Sequence, residues 1–561
     1  MSTFIFLIVL IFMIFIKLLV QSIFLVHKLQ QVGYFNMKFL KWLEGNKYRE
    51  VLLWNIFELL LPLLLILIFY FTIGKIQIVI YKYITSSIMI LTFLWKIIHP
   101  FTVGWVGPKA KNKKELVFTP RVIRLFFTLI AILIIILSFI FWFTATPFDE
   151  FTLSSWSFFK FNAFLLFVSV IAPVMILVAN IINIPIEKLI HTFYFVKAKS
   201  KIKKVDLQKV GITGSYGKTS TKFFVATILS EKYKTLFTPS SFNTPMGISK
   251  VLNQENLSKY EYFVAEMGAD HKGDIQVLCN LVNPNSGIIT AIDIQHLETF
   301  GSLQNIIDTK LSLFVNLSPN SIAIYNYDSE ILRESIKKKD FSKLNLFTYS
   351  IIESNIKSVD IVAKDIKHTR AGVEFDAILK TGESFHIATK LLGVHNVSNI
   401  LAAILFCKLM GLSIDQIKNG IRKIMPVEHR LQLIDSGSGV LVLDDAFNSN
   451  LKGALEALRV LKEIDGNKKI VITPGIIELG EKEDEINFNF GKYISQFVDF
   501  AILVGKERTK KIKDGLLEKH FKEENIIIVN SLQESQLVLK EIVSIGDVIL
   551  FENDLPDVFS E

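Results

Sequence analysis

Residues 211–222 read Gly211-Ile-Thr-Gly-Ser-Tyr-Gly-Lys-Thr-Ser-Thr-Lys222, and an apolar run, Phe223-Phe-Val-Ala-Thr-Ile-Leu229, follows them. The residues before this stretch suit a strand and the apolar run suits a helix, which is the order that a phosphate site needs. Glycines at 211, 214 and 217 allow the backbone to turn so that successive N–H groups point at one anion. The helix adds its positive N-terminal end. The stretch therefore predicts a binding site for nucleotide phosphates.

The side chains of this stretch predict a nucleotide and Mg²⁺ as ligands. Lys218 would reach the β- and γ-phosphates, and the Thr219 hydroxyl would bind Mg²⁺. The spacing departs from the strict phosphate-loop template, because Ile212 stands where that template has its first glycine. A glycine-rich turn that binds nothing is the alternative interpretation. The residues predicted to contact the nucleotide here are Gly214, Ser215, Gly217, Lys218, Thr219 and Ser220.

The composition indicates a membrane part joined to a soluble part. A length of 561 residues suggests about three or four domains. Hydrophobic residues make up 51% of the chain and the mean hydropathy is +0.42, with the apolar excess before residue 185. Two cysteines, Cys279 and Cys407, indicate a reducing compartment and exclude a disulfide framework. The net charge of +9 comes from basic residues beside apolar stretches, so membrane topology explains it better than a nucleic-acid partner.

Several apolar stretches near the N-terminus are long enough to cross a bilayer as helices, which takes about 20 residues. We place five spans, at 2–24, 51–73, 77–98, 121–146 and 162–184. Lysines and arginines are concentrated in segments 25–50 and 99–124, and the positive-inside rule places 25–50 and 99–120 in the cytoplasm. The sequence thus predicts an α-helical membrane domain, residues 1–185, with about five transmembrane helices in the plasma membrane. The N-terminus would lie outside and residue 185 onward in the cytoplasm.

Six lysines follow the last predicted span, within residues 186–207. We interpret this segment as a basic juxtamembrane linker. Lysines next to a membrane are attracted to anionic headgroups, so membrane lipids are predicted partners. A topology anchor and a specific lipid site are the two alternatives for this segment.

Beyond residue 207, short β-type runs alternate with helical stretches. The predicted strands are 262–266, 287–292 and 321–325, and strands separated by crossover helices indicate a mostly parallel sheet. Ligands bind at the carboxyl ends of such strands. Glu266 ends one strand and His296 follows another. An acid and a histidine near one sheet edge, beside a phosphate site, suit a second divalent ion.

From residue 211 to about 550 the motifs resemble those of the Mur ligases, ATP-dependent enzymes that form amide bonds. They look most like the MurF branch, which adds D-alanyl-D-alanine to a nucleotide-linked tripeptide. The motifs after the glycine stretch are Ser241-Phe-Asn243, Glu266-Met-Gly268, His296-Leu-Glu298, Asp308-Thr-Lys-Leu311, Gly393-Val-His-Asn-Val-Ser-Asn399, Glu428-His-Arg430, Asp444-Asp-Ala-Phe-Asn448 and Glu478-Leu-Gly480. This resemblance implies a phosphate-loop central domain, 208–426, and a smaller Rossmann-like α/β C-terminal domain, 427–561.

The resemblance also implies a mechanism and a set of catalytic residues. ATP would phosphorylate a substrate carboxylate, and an amine would then displace the acyl phosphate. Thr219 and Glu266 would hold one Mg²⁺ and His296 the other. Lys310 would be carbamylated by CO₂ and become a metal ligand; a surface helix lysine in salt contact is the alternative. The implied catalytic residues are Lys218, Glu266, His296, Lys310 and Arg430.

Further implied contacts involve the nucleotide and the acceptor. Asn396 and Asn399, at the opening of a predicted helix 397–411, would hold the adenine end of ATP. Arg430 would reach the γ-phosphate, and Asp445 would orient ATP from the same domain. Asn243 would contact the carboxylate-bearing substrate, or it is a turn residue beside Pro245.

Two departures bear on the substrate. Soluble Mur ligases begin with a domain that recognises the uridine diphosphate, and membrane spans take its place here. The MurF branch carries a cationic segment near its end, where residues 546–556 are acidic. We therefore expect an amide ligase for a cell-wall or surface-polymer precursor, either UDP-linked or lipid-linked, with an amino acid or dipeptide as amine. The alternatives are a tethered peptidoglycan ligase, a polyglutamate or capsule-type ligase, and an ATP-regulated membrane scaffold or transporter.

Overall fold

The computed structural model forms two compact units, residues 1–190 and 191–555, with short terminal pieces assigned to each. It describes residues 21–44, 116–144, 155–240, 242–294, 297–369, 372–426, 429, 431–435, 437–446, 451–477, 479 and 482–553. Predicted spans 51–73 and 77–98, and most of 2–24, lie outside the described residues. Of the predicted site residues, His296 and Arg430 also lie outside them.

The described part of the first unit is helical. Residues 21–31 are helical, and three helices with defined bounds follow: α1 (Asn36–Glu44), α2 (Pro120–Thr144) and α3 (Ser155–Lys203). Their apolar side chains bury one another in a common core that includes Leu25, Phe39, Leu125 and Ile176. Buried amides join the helices, because Asn183 Nδ2 donates to Thr128 Oγ1 at 2.9 Å.

Within the described residues, Ile171–Lys203 is the one helix long and apolar enough to cross a membrane, by length and composition. The prediction was about five such helices. The fourth predicted span, 121–146, falls on α2, and the fifth, 162–184, lies inside α3. Within the described residues the structure therefore supports a helical N-terminal part and contains one candidate span, and the predicted spans 51–73 and 77–98 lie outside these residues.

The segment predicted as a linker, 186–207, is helical as far as Lys203. Ala198 and Ile202 are buried in the core of the second unit, together with Leu207. Lys201 Nζ donates to the carbonyl of Asn253 at 3.0 Å and to that of Glu255. These carbonyls close a neighbouring helix, so this lysine caps a helix C-terminus and is not available to headgroups.

The second unit begins with a nine-stranded, mostly parallel sheet in the order β2-β3-β1-β4-β5-β6-β7-β8-β9. β8 runs antiparallel to its neighbours β7 and β9, and the other neighbouring strands are parallel. Its strands are β1 (Gln208–Thr213), β2 (Thr235–Phe237), β3 (Tyr262–Glu266), β4 (Ser286–Ile289), β5 (Ile322–Asn326), β6 (Asn345–Ser350), β7 (Ile361–Thr369), β8 (Gly372–Leu379) and β9 (Ser384–Thr389).

Helices cover both faces of this sheet, which gives three layers. Its helices are α4 (Lys218–Leu229), α5 (Pro245–Gln254), α6 (Asp274–Val282), α7 (Leu297–Phe300), α8 (Leu303–Val315), α9 (Glu330–Lys337), α10 (Val394–Leu409) and α11 (Ile414–Lys423). One core contains Phe224 of α4 and Leu401 of α10. The other core contains Ile248, Leu278 and Phe314.

The C-terminal domain has a second sheet, in the order β10-β11-β15-β12-β13-β14. β10 pairs antiparallel with β11, and the other neighbouring strands are parallel. Its elements are β10 (Gln432–Asp435), β11 (Leu441–Asp445), α12 (Leu451–Glu463), β12 (Lys469–Thr473), α13 (Glu483–Ile494), β13 (Phe500–Val504), α14 (Lys510–Glu518), β14 (Ile526–Val529), α15 (Leu532–Ile542) and β15 (Val548–Glu552). This arrangement fits the predicted Rossmann-like α/β domain.

Strand order determines which residues meet at the carboxyl edge of the first sheet. β1 lies between β3 and β4, with Ile212 opposite Glu266 and Thr213 opposite Ile289. The turns after these three parallel strands therefore lie side by side. Residues after Thr213, at Glu266 and after Ile289 form one site.

Candidate active site

The turn between β1 and α4, residues 214–217, is named the glycine loop. Gly214 and Gly217 have φ values of 154° and 79°, in the region that favours glycine. A Cβ on Gly214 would stand 2.1 Å from Thr290 Oγ1, and one on Gly217 would stand 2.5 Å from Asn399 Oδ1. Both positions therefore require glycine for two reasons, the backbone angle and the lack of space.

Hydrogen bonds hold the glycine loop against the end of β4. Ser215 Oγ accepts from the Asp293 N–H at 2.9 Å and donates to the Asp293 carbonyl at 3.0 Å. The Ser215 N–H donates to the Ala291 carbonyl at 2.8 Å. Thr290 Oγ1 donates to the carbonyl of Tyr216. The loop is thus fixed in shape by its neighbours, as preorganised anion binding requires.

Lys218 is the first residue of α4 and folds back over the loop. Its Nζ donates to the carbonyls of Gly214 at 2.7 Å and Ser215 at 3.1 Å. The ammonium group thus lies over the turn whose N–H groups and helix N-terminus favour a phosphate. The contact of Lys218 with the β- and γ-phosphates stays a prediction.

Glu266 is the centre of a buried polar cluster. Its Oε1 accepts from Thr219 Oγ1 at 3.0 Å and from Asn243 Nδ2 at 3.1 Å. Its Oε2 pairs with Lys222 Nζ at 3.2 Å, where the lysine side chain is 0% and the glutamate 1% exposed. Lys222 also donates to the carbonyl of Ser240. Thr219 and Asn243, which the sequence analysis connected with the metal and the substrate, therefore both contact the Glu266 carboxylate.

Lys222 is a site residue that sequence reasoning missed, although it ends the quoted stretch. Burial lowers the pKa of Lys222, and the nearby Glu266 carboxylate opposes this shift. A charged lysine in an apolar helix is an unusual pattern, since charged groups are buried only when paired. That pattern is the signal in the sequence, but it does not identify the partner.

The donor atoms around Glu266 fit a magnesium ion. Thr219 Oγ1 and Glu266 Oε1 are oxygen atoms 3.0 Å apart, and Mg²⁺ binds oxygen ligands through one or two carboxylates together with phosphates and water. Within the described residues, no group of three histidine, cysteine or acidic side chains is close enough to hold a metal. His296, the predicted ligand of a second ion, lies outside those residues.

Lys310 lies on α8 and is buried, with Nζ donating to the Gly214 carbonyl at 3.1 Å. The alternative prediction of a surface lysine is therefore wrong. Burial, and next the charge of Lys218, hold the pKa of Lys310 well below its usual range. A lowered pKa increases the fraction of neutral amine at neutral pH. A neutral amine is the form that reacts with CO₂.

The two asparagines of α10 have different environments. Asn399 Oδ1 accepts from Thr221 Oγ1 at 3.2 Å and lies against Gly217. Asn396 Nδ2 donates to the Leu392 carbonyl at 2.8 Å. Both side chains are buried. The structure thus brings Asn399 to the glycine loop, and an adenine contact for either residue stays a prediction.

Asp445 ends β11 in the C-terminal domain. Its Oδ1 accepts from the Leu431 N–H at 2.9 Å, so it fixes the chain that enters this domain next to Arg430. The predicted contacts of Asp445 and Arg430 with ATP stay predictions.

Helix α12 of the C-terminal domain also reaches the site, which the sequence did not predict. Lys452 Nζ pairs with Asp293 Oδ2 at 2.8 Å and lies 5.9 Å from the centre of the Tyr216 ring. Glu456 Oε1 accepts from the Val394 N–H at 2.9 Å. The only sequence signal is a lysine and a glutamate four apart, which is common on exposed helices.

Comparison with known families assigns both domains of the second unit. Residues 212–407 match the Mur ligase middle domain, and residues 429–552 match the domain described as Mur ligase, glutamate ligase domain. These matches cover both sheets.

Two similar proteins carry the name UDP-N-acetylmuramoyl-tripeptide--D-alanyl-D-alanine ligase. The protein from Haemophilus influenzae is 33% identical over 357 residues, which cover 62% of this chain and 75% of that protein. The protein from Escherichia coli is 30% identical over 328 residues, which cover 58% of this chain and 70% of that protein.

Two solved structures have a similar fold. MurF from Acinetobacter baumannii superimposes with a TM-score of 0.58 and 22% identity, covering 66% of this chain and 78% of that one. MurF ligase from Thermotoga maritima in complex with ADP gives a TM-score of 0.57 and 24% identity, covering 66% of this chain and 81% of that one.

Proposed function

The chain belongs to the Mur ligase family as a MurF-like, ATP-dependent ligase, and we propose that it joins the carboxylate of a muramoyl-peptide cell-wall precursor to D-alanyl-D-alanine. The observation that carries this proposal is the cluster of Lys218, Thr219, Glu266 and Lys310 around one glycine loop. The names of the two similar proteins from Haemophilus influenzae and Escherichia coli supply the two substrates. The retained charged cluster argues against a scaffold without enzymatic activity.

Two chemical steps would take place at this site. An oxygen of the substrate carboxylate attacks the γ-phosphorus of ATP, the bond to the β-phosphate oxygen breaks, and ADP leaves. The amine then attacks the carbonyl carbon of the acyl phosphate, inorganic phosphate leaves, and the amine loses a proton. Charge on the transferred phosphoryl group must be neutralised throughout the first step. Lys218 and the N–H groups of the glycine loop supply fixed positive charge there.

Mg²⁺, when bound, would neutralise phosphate oxygens and hold them in line for transfer. Thr219 and Glu266 are the described residues that would hold it. Lys222 neutralises the second oxygen of Glu266, so one carboxylate oxygen faces the hydroxyl of Thr219 and the amide of Asn243. Asn243, which is itself predicted to contact the acceptor, therefore also donates to the carboxylate that would hold Mg²⁺.

Carbamylation of Lys310 forms part of the proposal. The ammonium group would first lose one proton. The neutral amine would then attack CO₂, form an N–C bond and release a second proton, so that in total a cation becomes an anionic oxygen ligand. The low pKa of Lys310 favours this reaction because it requires the neutral amine. A carbamate there would also place a negative charge beside the Lys218 ammonium group.

We expect the ligase to depend on dissolved CO₂. Preparing the protein and buffers without CO₂ should lower the rate of ATP-dependent ligation by about tenfold or more, because even the loss of a group that supports a metal ligand costs about 10- to 100-fold. Adding bicarbonate should restore the rate, and Lys310→Ala should be slow and insensitive to bicarbonate. Chloride at the same ionic strength is the control. Equal rates with and without CO₂ would show that Lys310 acts as an unmodified amine.

The proposal extends to the membrane. The chain would have about five transmembrane helices, with its N-terminus outside and its catalytic domains in the cytoplasm, and these helices would present a lipid-linked acceptor. Two observations support this: the apolar helix Ile171–Lys203 and the basic segments 25–50 and 99–124.

Phosphate release by the detergent-solubilised full chain tests the function. We expect release only when ATP, an acceptor and an amine are all present, with D-alanyl-D-alanine as the effective amine. UDP-linked and lipid-linked muramoyl peptides should be compared at equal concentration, with Lys218→Ala as the blank. Turnover with the lipid-linked acceptor but not with the UDP-linked one would support the idea that the membrane part presents the acceptor. Phosphate release without an acceptor would contradict the proposal that the enzyme joins the carboxylate of an acceptor to an amine.

A further inference from the structure

We propose that helix α12 couples the C-terminal domain to both halves of the nucleotide site, with Lys452 and Glu456 as its positioning residues. This inference rests on the proposed function only in that a nucleotide binds at the glycine loop. Neither residue belongs to the motifs that identified the site. Both act through main-chain and side-chain groups of the central domain.

Lys452 reaches the phosphate half of the site. Its Nζ pairs with Asp293 Oδ2 at 2.8 Å, and Asp293 Oδ1 accepts from the Ile294 N–H at 2.8 Å. The main chain of Asp293 exchanges two hydrogen bonds with Ser215 Oγ. Asp293 is therefore the single residue that links the Lys452 ammonium group to Ser215 of the glycine loop. The Tyr216 ring, 5.9 Å from Nζ, gives a second contact with the loop itself.

Glu456 reaches a different part of the site, the start of α10. Its Oε1 accepts from the Val394 N–H at 2.9 Å, and Val394 is the first residue of α10. A carboxylate at a helix N-terminus is favourable, because the first N–H groups of a helix have no intrahelical partner and the helix dipole is positive there. α10 carries Asn396 and Asn399, and Asn399 lies against Gly217. Glu456 is 8% exposed, so water competes little with this contact.

The spacing of the two residues explains why one helix can do this. Positions i and i+4 lie on the same helix face, with Cβ atoms about 6 Å apart. One face of α12 therefore contacts the turn after β4 and the start of α10 at the same time. These two segments are about 100 residues apart in the central domain, and the glycine loop touches both. Docking of α12 fixes their separation.

A physical consequence is reciprocal coupling. If docking of α12 favours the arrangement of the loop and α10 that binds nucleotide, then bound nucleotide must favour docking by the same factor. Loss of Lys452 or Glu456 should weaken nucleotide binding although neither residue belongs to the glycine loop. Arginine in place of Lys452 keeps the charge, and glutamine in place of Glu456 keeps an oxygen for the Val394 N–H.

The test is ADP binding by the full chain in detergent, measured by calorimetry with Mg²⁺ and without acceptor or amine. We expect Lys452→Met and Glu456→Ala each to raise the Kd for ADP about fivefold. This is the lower end of the range for coupling between two sites, because the contacts are partly exposed to solvent. Lys452→Arg and Glu456→Gln should stay within about twofold of the unaltered protein. Lys462→Met is the matched control, because Lys462 lies on the same helix but donates to the Gln496 carbonyl of its own domain.

Two further readouts separate positioning from a general loss of structure. Amide hydrogen exchange without nucleotide should become faster in residues 214–217 and 393–397 in Lys452→Met and Glu456→Ala, and remain unchanged in residues 469–473 of the C-terminal sheet. The double variant Lys452→Met with Asp293→Asn should bind ADP no more weakly than Lys452→Met alone. Unchanged exchange and unchanged ADP affinity in both single variants would overturn the proposal. Because no acceptor is present, a failure of the proposed amide chemistry leaves these results interpretable.

Discussion

Replacing Lys218 with alanine is expected to lower ATP-dependent turnover by at least about a thousandfold, the scale for removing a fixed charge that neutralises a transferring phosphoryl group. The ammonium group lies over the carbonyls of Gly214 and Ser215, where no other described lysine except buried Lys310 reaches. Lys310 approaches from α8 and donates to the Gly214 carbonyl, so it does not occupy the position of the lost ammonium group. Arginine at position 218 should recover little, because its planar group cannot occupy the same turn.

The Lys218→Ala measurement needs a control for folding. Lys232→Ala is suitable, because Lys232 follows the same helix and its Nζ donates to the exposed Gly411 carbonyl at 2.7 Å. Both variants should have the same thermal midpoint without nucleotide, and the Lys232 variant should keep the turnover of the unaltered protein. A folded Lys218→Ala protein that retains more than about a tenth of the turnover would show that phosphoryl transfer occurs elsewhere.

Replacing Lys222 with methionine is expected to destabilise the central domain by about 3 to 5 kcal/mol, the cost of leaving a buried charge without its partner. Glu266 would keep its bonds from Thr219 and Asn243 but lose the opposing charge on Oε2. A loss of this size should lower the thermal midpoint by roughly 10 °C for a domain of about 200 residues. The measurement is thermal unfolding of the detergent-solubilised chain.

A double variant makes this second prediction specific. Lys222→Met combined with Glu266→Gln removes both charges, and its midpoint should lie above that of Lys222→Met alone because no uncompensated charge remains. The surface pair Lys364–Glu353, at 3.3 Å, provides the comparison, and Lys364→Met should change stability by about 0.5 kcal/mol or less. Equal midpoints for the Lys222 and Lys364 variants would show that the buried pair is not charged.

The sequence predicted the parts of the site that are formed by residues close together in the chain. Glycine spacing and the helix that follows identify the loop, and the strand 262–266 was predicted with its observed bounds, so Glu266 falls at the correct sheet edge. Lys310 came only from a family resemblance, because its burial depends on α8 packing under the loop. The sheet was predicted as mostly parallel, but strands β7 to β9 were not identified.

The contacts that the sequence did not reveal join residues far apart in the chain. Lys222 meets Glu266 across 44 residues, and Glu456 meets Val394 across 62. Periodicity describes only which side of a helix is apolar, and it does not say which distant element faces that side. Lysines 197–204 were predicted as a linker for the same reason, since a lysine that caps a distant helix has the same local pattern as one near a headgroup.

The position of β1 between β3 and β4 has a consequence for synthesis of the protein. The glycine loop is made early, but its supports Thr290, Asp293 and Asn399 follow later, the last about 185 residues after Gly214. At about 5 to 20 residues per second, the ribosome needs roughly 10 to 40 s for that distance. During this interval ATP has no finished site to bind and cannot stabilise the nascent domain. A chain that stops before residue 399 never acquires that protection, so incomplete products remain open to proteolysis.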